Sequence, residues 1–323
     1  MTASSLAARL ARAAGVALIG ATLLAACGGG TSQVDRFVPA RVLSFGDELS
    51  RLEDSGAKYS VNALTTTTPK TIDCGTSPMW TQYMASSAYG KVFAQCKGTA
   101  TSPDVTAIRA AAVGARVDDV VAAMKSRIDS GDMQNTDLVT VMVGMHDVVD
   151  QYALYDGSNE ATLIATLTTQ GRKLATQINA ATGTGARVLV STIHDLGLSP
   201  WALKEKADVG DDRPALLTRL VDAFNKAMRL ELINDGSKIG LLLGDDLSRA
   251  MVRVPSAYGL GEVITPACLE AHWNSATCTT DTLITAAKDK SASYLWADQL
   301  RPSSTFQLYL GQQAISRLSN LPF

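Results

Sequence analysis

Five short runs of the chain are rich in branched and aromatic apolar residues: 41–45, 138–143, 186–193, 238–243 and 293–297. Between them the apolar residues change period. Val117, Val120, Val121, Met124 and Ile128 share one helical face, as do Leu163, Leu167, Leu174 and Ile178, and then Leu216, Leu217, Leu220, Phe224 and Met228. A last helix is predicted from about Ser303 to Leu318, behind Pro302. Strands with no polar face must be covered on both sides, and parallel strands need long crossovers, usually helical. The pattern therefore predicts the α/β class: a three-layer αβα sandwich around a parallel five-stranded sheet, with ligands at the carboxyl ends of the strands.

Two stretches break this alternation. In 50–104, Thr65 to Thr68 and Pro69 read as loop, whereas Trp80, Tyr83, Met84, Tyr89 and Val92 predict a short amphipathic helix. Its aromatics are expected to pack in the core, with lining of a pocket entrance as the second reading. Residues 256–282 read as a long surface excursion, placed to form a rim over a site at the strand ends.

The first residues have a different character. Arg9 and Arg12 precede an apolar stretch from Ala14 to Leu24, and Ala25-Ala26-Cys27 closes it with small residues before a cysteine. This is the pattern of a bacterial lipoprotein signal, too short for a membrane span of roughly 20 apolar residues. It predicts a signal peptide over 1–26, a lipidated Cys27 with a Gly/Ser-containing flexible tether over 27–37, and one domain over 38–323. The expected location is the cell envelope, anchored through lipid, with the outer membrane favoured by the absence of Asp after Cys27.

Charge narrows the partners. The chain has 29 Lys+Arg against 31 Asp+Glu, a net −2, and loss of Arg9 and Arg12 with the signal takes this to about −4. Such a balance gives no reason to expect nucleic acid. Cys74, Cys96, Cys268 and Cys278 remain in a compartment where disulfides persist. Of three pairings, Cys74 with Cys96 and Cys268 with Cys278 is expected, because both close local loops without strong periodicity; the other two stay open. The cysteine spacings repeat no ligand pair and His146, His194 and His272 are scattered, so neither a metal nor another cofactor is expected.

Four residue groups fall at predicted strand ends: Gly46-Asp47-Glu48-Leu49, Gly144-Met145-His146-Asp147, Asp245-Asp246 and Asp298-Gln299-Leu300-Arg301-Pro302. The pair Asp245-Asp246 reads as a helix cap and first-turn charge. The others read as a site. In this order, together with Ala112-Val113-Gly114-Ala115-Arg116 and the segment from Ser191 to Pro200, the chain resembles the GDSL or SGNH hydrolases, in particular their secreted lipase and esterase branch. The blocks span about Val38 to Leu318, and the resemblance implies an αβα fold and ester chemistry.

Carried over residue by residue, the resemblance places the family's nucleophilic serine on Glu48, its catalytic histidine on Arg301 and its oxyanion-hole asparagine on His146. Its oxyanion glycine falls on Gly114 and its histidine-orienting aspartate on Asp298. Arginine stays charged at working pH and cannot serve as the base of a Ser-His-Asp triad. A carboxylate at position 48 opposes a tetrahedral oxyanion. The two changes are complementary: Glu48 and Arg301 are expected to form a bidentate salt bridge, with Asp298 as a second acceptor.

Other chemistry in the pocket has weaker claims. Ser44 and Ser50 are nearby hydroxyls whose expected role is local hydrogen bonding. His146 is a donor, or a base working with Glu48 or Asp298. His194 reads as structural or rim-lining and His272 as exposed. The leading expectation is an envelope lipoprotein, catalytically impaired, binding an acyl-ester, glycan or other small ligand or serving a structural role. The alternative is an ester hydrolase, esterase, lipase or acyltransferase, with a remodelled site.

Overall fold

The computed structural model describes residues 37–98 and 101–320. The signal peptide, Cys27 and most of the tether lie outside the described residues. The body consists of β1 (Arg41–Gly46), β2 (Ala63–Leu64), β3 (Ile72–Asp73), α1 (Trp80–Tyr89), β4 (Lys91–Phe93), β5 (Asp104–Arg109), α2 (Val117–Asp129) and β6 (Asp137–Met142). It continues with α3 (Met145–Ala153), α4 (Glu160–Gly183), β7 (Arg187–Ser191), α5 (Pro200–Asp208), α6 (Arg213–Glu231), β8 (Ile239–Leu242), α7 (Gly244–Arg253) and α8 (Ser304–Ser319).

The central sheet has the order β4-β5-β1-β6-β7-β8, parallel at every pairing. Strand β6 is buried along its whole length, and β1 is buried except at Arg41. Helices therefore cover both faces: α2, α4 and α6 pack against one another, and α1, α8 and α7 form a second group. This is the αβα sandwich that the alternation of periods predicts. Arg41 fixes the register of the two middle strands, donating from Nε and Nη2 to the buried Asp137 carboxylate directly across the ladder.

The sheet has six strands rather than five, and one expected strand is not in it. Lys91–Phe93 and Asp104–Arg109 extend the sheet beyond β1, the first hidden from a pattern search by its brevity and the second by its polar residues. Residues 293–297 instead make isolated bridges, Tyr294 to Glu262 and Trp296 to Pro302. Trp296 is fully buried with its indole N–H on Val263 O at 2.9 Å, so the excursion, not the central sheet, supplies its partners. Beneath that excursion lies a small second core of Val61, Ala267, Leu283, Ala287, Tyr294 and Ala297 around the Cys268–Cys278 disulfide. Cys74 is bonded to Cys96, so the local pairing of the four cysteines is the one present. Among the described residues, no helix is long and apolar enough to cross a membrane.

Candidate functional site

Strand β1 delivers the first component. After Gly46 the chain turns through a 3-10 segment, Glu48–Ser50, capped by Asp47, whose Oδ1 accepts from Leu49 N at 2.9 Å. The turn points the Glu48 side chain inward, where its exposure is zero. Ala110 and Ala112 donate to the carbonyls of Ser44 and Gly46, so the stretch after β5 runs alongside the end of β1. It brings up Gly114, whose φ of +71° is in the left-handed region and whose N–H donates to Glu48 Oε2 at 3.0 Å.

Strand β6 supplies the next group through Gly144, which has φ +128° and caps α3. A Cβ on Gly144 would stand 2.4 Å from the Phe224 ring, so the close approach of α6 requires glycine here. The first turn of α3 then presents His146, whose Nε2 lies 2.9 and 3.0 Å from the two Glu48 oxygens. Asp147 faces the other way and accepts Val117 N, tying the start of α2 to that of α3.

The last component is a tight turn between Trp296 and Pro302. Asp298 Oδ1 accepts from Leu300 N and Arg301 N, and Ala297 N donates to Arg301 O. His194 holds this turn from below. It is fully buried, its Nε2–H donates to Leu300 O at 2.8 Å, and Trp296 and Phe306 flank the ring. Burial holds its pKa down to about 4, so the ring is neutral, which fits an unpartnered Nδ1. His194 is thus a core residue that supports the turn.

Arg301 crosses from this turn to Glu48. Its Nε and Nη2 both converge on Glu48 Oε1, while Nη1 donates to Asp298 Oδ2 at 2.9 Å and to Asn274 Oδ1 at 2.7 Å. The bridge differs from a two-oxygen fork because Oε2 is already taken by Gly114 and His146. Tyr59 lies under the guanidinium, 5.5 Å from ring centre to Cζ. The side chains of Glu48, Arg301 and Asp298 are 0%, 5% and 6% exposed, and His146 alone retains an appreciable 17%.

Electrostatics follow from this crowding. Burial by itself pushes the Glu48 carboxyl up, but the His146 hydrogen bond, the Arg301 charge and the Gly114 amide outweigh it and hold the pKa at about 2. Burial opposes the charged form of His146, and the hydrogen bond and charge of Glu48 overcome it, so its pKa is raised. Asp47 is fully buried beside Glu48 with Oδ2 unpartnered; desolvation first, then the Glu48 charge, raises it to about 7. Arg301 is raised by its two carboxylates against the cost of burial.

All five residues singled out in the sequence, Glu48, Gly114, His146, Asp298 and Arg301, meet at the carboxyl ends of β1, β5 and β6. Asp245 is elsewhere, buried in the first turn of α7 and bonded to Thr192 Oγ1 at 2.6 Å. Ser44 donates to Ser50 O, and Ser50 Oγ accepts from Trp80 Nε1, so both hydroxyls serve local packing. His272 is half-buried rather than exposed, its Nδ1 2.9 Å from Thr277 Oγ1. Sequence reasoning missed Asn274, Tyr59 and the role of Asp47. Asn274 sits in the Cys268–Cys278 loop at φ +54°, and only the disulfide-bounded excursion signals its approach. Among the described residues, no cluster of three or more His, Cys, Asp or Glu is placed to hold a metal.

No family model matches the chain, and a search of curated proteins finds no match. Solved structures do resemble it. A lipolytic G-D-S-L family protein from Veillonella parvula has 10% identity and a TM-score of 0.44, covering 85% of this chain and 96% of its own. The lipase Lip_vut3 from a goat rumen metagenome has 11% identity and a TM-score of 0.48, covering 86% and 96%. An acetylxylan esterase from Geobacillus stearothermophilus has 13% identity and a TM-score of 0.44, covering 88% and 97%. Identities this low carry no activity across to this chain.

Proposed function

We propose that this chain is an envelope lipoprotein on an SGNH-hydrolase-like scaffold that does not hydrolyse esters, its site closed by an internal ion-pair network, and that it acts by binding a small ligand or as a structural component. One observation carries the reading: Glu48 has no solvent exposure, and both its oxygens are occupied by Gly114 N–H, His146 Nε2 and two Arg301 nitrogens. Glu48 is held ionised and has no proton to give. Arg301 cannot accept one. His146, the remaining titratable group with some exposure, spends Nε2 on Glu48.

A second reading rests on that same histidine. Its orientation by a buried carboxylate is the second half of a triad without the nucleophile, and its exposed edge would act as a base on water. In this reading the chain is a remodelled ester hydrolase.

Turnover of short and long acyl p-nitrophenyl esters separates the two. The natural chain is expected to be silent and the Glu48→Ser, Arg301→His, His146→Asn triple variant to show activity. Hydrolysis by the natural chain that disappears in Glu48→Ala overturns the proposal in favour of the second reading. The anchor has its own check: labelled fatty acid is expected on the natural chain and absent from Cys27→Ser, and equal labelling of both would remove the lipoprotein assignment.

A further inference from the structure

Helices α4 and α6 run side by side in the same direction, Glu160 pairing with Arg219 near their starts and the Asn179 side chain bonding to Glu231 O and Ile233 N near their ends. Along their outer seam lies a groove of about 370 Å³. Its apolar wall comes from Ile164, Ala223, Ala227 and Leu230, the last 75% exposed. Arg172 and Lys226 stand on the same groove.

The charges around it do not cancel. Of the other ionic groups on the groove, Arg219 pairs with Glu160, and Asp222 pairs with Arg249, which it shares with the buried Asp195. Among the described residues Arg172 and Lys226 are in no ion pair, so the groove carries two unpaired cations on a chain whose net charge is −2. At 1.5 Å per residue, the stretches 164–172 and 219–230 make the seam roughly 12–16 Å long. Its volume lies at the low end of the roughly 300–1,000 Å³ of small-ligand sites, room for one alkyl chain and not for a two-chain lipid.

We propose that the groove between α4 and α6 binds a single-chain anionic amphiphile, a medium-chain carboxylate whose head meets Arg172 and Lys226 and whose tail runs toward the helix starts along Ala227, Ala223 and Ile164. The apolar wall without the cations would select any alkyl chain, and the cations without the wall any anion. Their juxtaposition selects molecules that carry both features.

Calorimetric titration of the full chain with decanoate, decanol and decyltrimethylammonium, all below their micellar range, tests this. Saturable 1:1 binding of decanoate is expected, with decanol at least tenfold weaker and the cation not bound. From octanoate to dodecanoate, affinity should rise about twofold per methylene, half the factor for complete burial because the groove is open on one side. The variant R172E/K226E should lose at least tenfold, and R172K/K226R should retain binding. Both positions changed by these variants are exposed charges, so thermal unfolding serves as the control that the fold persists.

Absence of saturable decanoate binding overturns the proposal, as does equal binding of decanol or an unaffected R172E/K226E. Recruitment to phosphatidylglycerol vesicles that depends on Arg172 and Lys226, without binding of monomeric decanoate, overturns it in favour of a membrane-facing surface. None of these outcomes bears on Glu48 or ester turnover, so this site and the one at the strand ends fail separately.

Discussion

Arg301 reaches Glu48 across 253 positions of sequence and places two guanidinium nitrogens on a single carboxylate oxygen, Nε at 2.8 Å. The other oxygen belongs to Gly114 and His146, so the carboxylate is saturated. Asp298 balances the arginine from the far side, and Asn274 shares Nη1. The site is a closed charge network in which each member is satisfied by another, the condition under which buried charge persists.

Breaking that network from one side should be costly. Arg301→Ala leaves the Glu48 carboxylate buried and without its main counter-ion, and is expected to destabilise the chain by about 3–5 kcal/mol in urea unfolding. Replacing both partners, Glu48→Gln with Arg301→Met, should recover most of that loss. Equal destabilisation by the single and the double change would show that the pair is not the source of the effect.

The pH profile has three contributions whose signs differ. Glu48, lowered from 4.5 to about 2, contributes stability that is present above about 4.5 and is lost as pH falls toward 2. His146, raised above 6.5, contributes stability that is present below 6.5 and lost as pH rises through its folded value. Asp47, raised from 3.8 to about 7, favours folding while protonated, and that advantage is lost as pH climbs from 3.8 through 7. Asp47→Asn should therefore be more stable than the natural chain at pH 8, by about 2–4 kcal/mol, with the difference vanishing near pH 3.5. A pH-independent difference in urea unfolding would assign the effect to packing instead.

Two glycines at the site should respond differently to alanine. Gly144→Ala drives a methyl into the Phe224 ring and should cost about 3 kcal/mol or more. Gly114→Ala meets no atom within 4 Å, and its left-handed φ should cost about 1–2 kcal/mol. Thermal unfolding of the two variants gives the order directly, and a reversed order would contradict the packing of α6 on the start of α3.

The two disulfides close loops of 22 and 10 residues. By loop entropy each should contribute about 3 kcal/mol, the longer slightly more. Peptide mapping under non-reducing conditions should recover Cys74 with Cys96 and Cys268 with Cys278, and Cys268→Ser with Cys278→Ser should loosen the excursion that carries Asn274 to Arg301.

The amino-acid sequence by itself determined the layered α/β architecture, since short continuous apolar runs and period-3.6 apolar patterns are local properties of the chain. It also placed β1, β6, β7, β8 and the long helices α2, α4 and α6, whose faces bury enough apolar surface to mark their limits. Glu48 and His146 were legible after the predicted strands β1 and β6, and the resemblance of the motif blocks added Gly114, Asp298 and Arg301 to them. Tertiary structure decided the rest. The edge strand Lys91–Phe93 is too short to announce itself, and its neighbour Asp104–Arg109 too polar; they form because β1 offers one side for β5 to pair with and β5 in turn one for β4. Residues 293–297 have a strand's composition, yet Trp296 finds its indole partner in Val263 and bridges Pro302 instead. Asn274 reaches Arg301 only because the Cys268–Cys278 loop folds over the strand ends, and the Asp47 carboxyl is pushed up to about 7 only where burial removes its water. Contacts made between distant segments, and the loss of solvent they impose, have no local period in the chain.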